Sequence, residues 1–124
     1  MKKYGVVDQP YYLKGTSNLY MCYSKTETGT TNNSTKIIIS TFYAYVIGQS
    51  ETISNDNFTA CVDGSQEQEY KPINSFNETI AYAGSEYAVT VMPQFDVPAD
   101  AEMIVINYKS SFNNETLSFK MSIL

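Results

Sequence analysis

The chain of 124 residues contains no histidine, no tryptophan and no arginine, and only two cysteines, Cys22 and Cys61. Without histidine, neither a Ser-His-Asp nor a Cys-His constellation can be assembled, and the usual transition-metal ligands shrink to two thiols and the carboxylates. Hydrolase and zinc chemistry largely fall away. Positive charge is scarce as well. Eight Lys stand against thirteen Asp plus Glu, a formal charge of −5, which repels phosphates and argues against nucleic acid as a partner. No apolar run approaches the roughly 20 residues of a membrane helix. The basic start "MKKYGVVDQP" has no apolar stretch behind it, so neither an anchor nor a signal peptide is read in this sequence and no direct membrane insertion is expected.

What is present is β-structure. In "TLSFKMSIL", Leu117, Phe119, Met121 and Ile123 alternate with Thr116, Ser118, Lys120 and Ser122, the period-two pattern of a half-buried strand. "EYAVTVMPQFDV" sets Tyr87, Val89, Val91, Phe95 and Val97 on one side, with Pro93 marking an edge or a bulge because it cannot donate to a ladder. "EMIVINYK" is apolar on both faces from Met103 to Ile106 and so reads as a central strand. "NLYMCYSK" turns Leu19, Met21 and Tyr23 one way and Tyr20, Cys22 and Ser24 the other. "KIIISTFYAYVIG", read as the longest strand, puts Ile38, Phe42, Ala44 and Val46 on its core face and Ile37, Ile39, Tyr43 and Tyr45 opposite. Between these two, "TETGTTNNST" at 26–35 reads as a polar hairpin tip and as the best candidate for disorder. "NFTACVDG" leads through a turn at Asp63 and Gly64 to a short return strand, "QEYKP". One short helix is expected in "SFNETIAYAG", where Ser75 and Glu78 have capping-box spacing and Gly84 suits the end.

Seven to eight short strands with turns between them and almost no helix predict a single all-β domain over 1–124, an antiparallel immunoglobulin-like β-sandwich. Its final three strands, 86–97, 103–106 and 116–123, are expected to be consecutive neighbours.

The carboxylates offer little chemistry. Glu67 and Glu69 could act as an acid–base pair on glycosides, but their spacing puts both on one face of an exposed return strand, where solvated carboxylates are expected anyway. Asp56, Asp63, Asp96 and Asp100 fall at loop ends without the spacing of a calcium loop and read as turn residues. Asn-x-Ser/Thr triplets at Asn32, Asn33, Asn57, Asn77 and Asn114 are explained by composition alone. No catalytic residue, cofactor or metal is expected, and the chain is not read as an enzyme.

From about Lys36 to the end, a run of features resembles the bacterial family called domain of unknown function 4352. The run comprises the apolar strand 37–47 followed by "GQSET", then "NDNFTACVDGSQEQEYKP", "GSEYAVTVMPQFDVPADAEMIVINY" and the closing "TLSFKM". The resemblance implies an immunoglobulin-like sandwich of exported proteins, in an extracellular or cell-envelope setting such as a lipoprotein. It transfers no catalytic residues. In an exported sandwich, Cys22 and Cys61, on different strands and with 38 residues between them, are either a disulfide, worth about 3.5 to 4.5 kcal/mol by loop entropy, or two thiols. Bonding requires that their strands be neighbours.

The tyrosines are the most suggestive feature. There are eleven, and Tyr43, Tyr45 and, by parity, Tyr20 project away from the core. Such a face can bind a protein or a glycan at low conformational cost. Equally, it can be covered by "YGVVDQPYYL" or by the expected helix. The function read from the sequence is therefore a non-catalytic extracellular or envelope binding or assembly module. A homo-oligomer is left open. The alternative is a cytoplasmic or phage-encoded acidic interaction protein of inhibitor type, which suits the charge.

Overall fold

A computed structural model describes residues 4–5, 10–12, 19–65, 67–75, 77–110 and 114–124. Among these residues eleven strands are formed: β1 (Tyr4–Gly5), β2 (Pro10–Tyr12), β3 (Leu19–Thr31), β4 (Thr35–Val46), β5 (Glu51–Ser54), β6 (Phe58–Val62), β7 (Glu78–Ala81), β8 (Val89–Val91), β9 (Gln94–Pro98), β10 (Met103–Lys109) and β11 (Thr116–Ser122). One sheet runs β2-β3-β4 with both β8 and β9 on the far side of β4. A second runs β1-β11-β10-β6, and β5 pairs with β7 in a two-stranded sheet. All pairs are antiparallel except the two-residue β1–β11 ladder.

The two large sheets are held together by their inward parities. Leu19, Met21, Ile38, Phe42 and Ala44 from one meet Phe58, Ala60, Ile104, Ile106 and Phe119 from the other in a single buried cluster. Phe42 is the clasp: its ring lies 5.2 Å from Phe58 and 5.0 Å edge-on from Phe119, across the gap between the sheets. The all-β sandwich is thus as expected, and the alternation assigns the core faces of β3, β4, β6 and β11 correctly.

Neighbourhood is where the reading departs. β10 and β11 are adjacent, and β10 is central, but its other neighbour is β6. The segment 86–97 breaks at Met92–Pro93 into β8 and β9, both of which pair with β4 in the opposite sheet. The last three strands are therefore not consecutive neighbours, because the chain crosses between sheets through the turn at 99–102, where the Ala101 amide donates to the Pro98 carbonyl at 3.1 Å. A strand's parity says which face is apolar, not which sheet it joins.

Three local corrections follow from pairing energy. The expected helix at 75–84 is instead β7, whose Thr79 and Ile80 pair with Ile53 and Thr52 of β5. A helix this short is marginal alone, and a partner strand supplies a full ladder. The capping box occurs at Ser54 and Asn57 around a 3-10 turn, Asn55–Asn57, with the Ser54 amide donating to Asn57 Oδ1 at 2.9 Å. The polar stretch 26–35 is mostly ladder: β3 runs to Thr31 and, at 13 residues against 12, exceeds β4 in length. Its turn is closed by Asn32, whose Oδ1 accepts from the amides of Ser34 and Thr35 at 2.7 and 2.8 Å. The return strand "QEYKP" reduces to a single bridge, Tyr70 against Ala60.

Among the described residues, two charged side chains are inside. Lys36 donates through Nζ to the carbonyls of Ala101 and Ile123 at 2.8 and 2.6 Å, pinning the C-terminal end to the inter-sheet turn. Glu51 is the other.

Candidate functional site

The outer face of β4 is built by register. Tyr12, Tyr20 and Tyr45 are paired in one cross-strand row, and Pro10, Cys22, Tyr43 and Thr90 in the next. Directly opposed residues on one face are close enough to touch, and the Tyr20 and Tyr45 rings do stack, 4.9 Å apart with planes 7° from parallel. Tyr43 and Tyr45 keep 41% and 39% of their surface exposed. The face is open only at this end, since Thr41, two residues on, is buried and Ile37 and Ile39 are half-buried.

The three sequence-predicted residues Tyr20, Tyr43 and Tyr45 are therefore brought together on one surface. Among the described residues, neither of the expected covers lies over this face. The helix does not form, and β2, the described part of "YGVVDQPYYL" beside this sheet, extends it sideways along β3. The rest of that segment lies outside the described residues, apart from β1 on the other sheet.

Cys22 and Cys61 are not brought together. β3 and β6 belong to opposite sheets, and the neighbours of both cysteines, Met21, Tyr23, Ala60 and Val62, point into the shared core. The two thiols sit on opposite outer faces, and no bridge joins them. Of the two readings left open by the sequence, a disulfide or two thiols, the structure has the thiols, because the precondition for a bridge, neighbouring strands, is not met.

Among the carboxylates, Glu67 and Glu69 are exposed, and no group of three or more potential metal ligands occurs among the described residues. Asp63 has a structural task. With φ at +50° it opens the turn into Gly64, and its Oδ1 accepts from the amides of Glu102 and Met103 at 2.8 and 3.0 Å. Those two donors hold its carboxyl below the usual carboxylate range, the Glu102 amide contributing most.

The sequence reading missed Glu51. This residue is 2% exposed at the start of β5 and accepts hydrogen bonds from Tyr108 Oη at 2.5 Å and Ser110 Oγ at 3.2 Å. Burial, and then the adjacent carboxylate, push the Tyr108 phenol well above its normal range, so it stays protonated and remains a donor. Its partners are 57 and 59 residues away in sequence, and no local pattern announces such a pair. The site ties the small β5–β7 sheet to β10 and is closed to substrate.

No protein-family model matches the chain, and no curated protein is significantly similar to it. Solved structures are similar in fold. The secreted protein MPT63 of Mycobacterium tuberculosis superposes with a TM-score of 0.69 at 13% identity, covering 98% of both chains. YcdA, a candidate lipoprotein of Bacillus subtilis, gives 0.65 at 8% identity, over 94% of this chain and 39% of its own. An uncharacterised β-sandwich protein of Clostridium difficile gives 0.53 at 12% identity, over 98% and 96%. At these identities the likeness concerns the β-sandwich fold.

Proposed function

We propose that this protein is a non-catalytic extracellular or cell-envelope binding module that docks a protein partner on the tyrosine face of β3 and β4. The single observation carrying this reading is the exposed pair Tyr43 and Tyr45 on a strand whose other face already supplies a complete core set. A secreted protein and a candidate lipoprotein among the structural neighbours support the location, and the sandwich accords with kinship to the domain of unknown function 4352 family. A protein partner is favoured because Tyr43 and Tyr45 each offer a large apolar ring that ends in a hydroxyl, which suits the mixed apolar and hydrogen-bonding contacts of a protein interface.

The test is the double variant Tyr43→Ser, Tyr45→Ser, compared with wild type in binding to envelope protein extract and to insoluble cell-wall glycan. Loss of a protein partner at an unchanged thermal midpoint is the expected result. Unfolding, or a fall of many degrees, would assign the tyrosines to the protein's own packing and overturn the reading.

A further inference from the structure

Strand β3 has two neighbours for only part of its length. β2 pairs along it from Tyr20 to Cys22, and beyond that, among the described residues, β3 pairs with β4 alone. Alternate backbone N–H and C=O groups from Lys25 onward therefore point away from β4, a free sheet edge of the kind to which another strand can add. The edge is regular over Lys25–Thr28, opposite Thr41, Ser40, Ile39 and Ile38, between register shifts at Tyr23/Lys25 and Thr28/Thr31.

The first shift decides which way the side chains turn. Tyr23 points into the core opposite Phe42, but the extra residue carries Lys25 to the outer face opposite Thr41, and Glu27 follows it there opposite Ile39. Thr26 turns inward instead. Its Oγ1 shares a hydrogen bond with Ser40 Oγ at 2.9 Å and donates to Met121 Sδ at 3.2 Å, which fastens the edge to the second sheet. Lys25 and Glu27 are more than half exposed and form an ion pair with each other along the strand, Nζ to Oε1 at 3.4 Å, a contact worth little in water.

Charges on an edge ordinarily keep other strands away, yet this pattern leaves one partner welcome. We propose that β3 pairs antiparallel with β3 of a second copy of this chain, about a two-fold axis through Thr26 perpendicular to the sheet. Rotation about that axis sets Lys25 of each copy directly opposite Glu27 of the other on the same face, where opposed side chains are close enough to interact and opposite charges stabilise. Thr26 faces Thr26, and the four charges alternate in sign around a square. A strand without this pattern would leave a charge opposite a neutral or like-charged residue, so the edge selects its own sequence. The contact is isologous, and it brings both tyrosine faces to one side of a single continuous sheet. A ladder this short buries little surface and suits a transient dimer rather than an obligate one.

The test is sedimentation equilibrium on the wild type, on Lys25→Glu, on Glu27→Lys and on the double variant carrying both exchanges. Wild type should dimerise with a dissociation constant of about 0.1–1 mM. Either single exchange sets like charges opposite each other on both sides of the axis and should weaken the dimer about tenfold or more. The double variant restores opposite charges and should recover the wild-type constant to within about threefold. Mixing the two single variants should bring them together, since one then offers two carboxylates and the other two ammonium groups. All these side chains are exposed, so the variants should fold. Tyr43→Ser with Tyr45→Ser should leave the dimer intact, which separates this inference from docking on the tyrosine face. A wild type still monomeric at about 3 mM, a dimer indifferent to the single exchanges, or a double variant no better than either single one would overturn the proposal. So would loss of the dimer in the tyrosine variant, which would move the contact to that face.

Discussion

The two faces of β4 are nearly matched in apolar content yet differ in fate. Ile38, Phe42, Ala44 and Val46 on one side are at most 2% exposed, whereas Tyr43 and Tyr45 on the other keep about two fifths of their surface. What differs is the opposing layer. The inner face meets Phe58 and Phe119 of the second sheet, and at its Tyr43 end the outer face meets solvent. Hydrophobicity alone does not decide burial; a second surface must be supplied.

The sharpest way to break this comparison is Phe42→Ala. Removing the ring that contacts Tyr23, Phe58 and Phe119 should lower stability by about 3–5 kcal/mol, as measured by urea unfolding. A loss below about 1 kcal/mol, the range of surface substitutions, would mean that the two sheets are not clasped there. A smaller effect is expected from Tyr108→Phe, which keeps the packing against Phe58 but leaves the buried Glu51 carboxylate short of a donor. The expected cost is about 1–3 kcal/mol, and an unchanged urea midpoint would show that Glu51 needs no phenol.

Next is Asp63→Asn. Because the folded-state pKa of Asp63 is lowered by the Glu102 and Met103 amides, its carboxylate contributes stability that is fully present above the unfolded value, about 3.9, and is lost as pH falls through the folded value. Wild type should therefore lose stability relative to the variant below about pH 4, the two curves running parallel above it. Curves parallel throughout would remove the linkage. The smallest effect on stability belongs to Tyr43→Ser with Tyr45→Ser, whose thermal unfolding should show a loss within about 1 kcal/mol. A larger one would erase the contrast between the two faces.

Legibility follows the same division. The inward sets on β3, β4, β6 and β11 could be read because side-chain alternation is local to each strand. So could the break at Pro93 and the turn at Asp63 and Gly64, where ring chemistry and backbone conformation act on single residues. The helix expected at 75–84 failed because a capping-box spacing is also local, while the ladder from β5 that overrides it is brought from more than twenty residues away.

The sequence by itself determined that this protein is all-β, that it has no histidine chemistry, and that Tyr20, Tyr43 and Tyr45 share a side of their strands. Only the tertiary structure decided that β9 leaves β10 for the opposite sheet, that Cys22 and Cys61 face opposite ways, that Glu51 meets Tyr108, and that the tyrosine face stays open. The physical reason is that a period of two specifies a face but no partner, and strand partners are chosen by long-range packing of the whole chain.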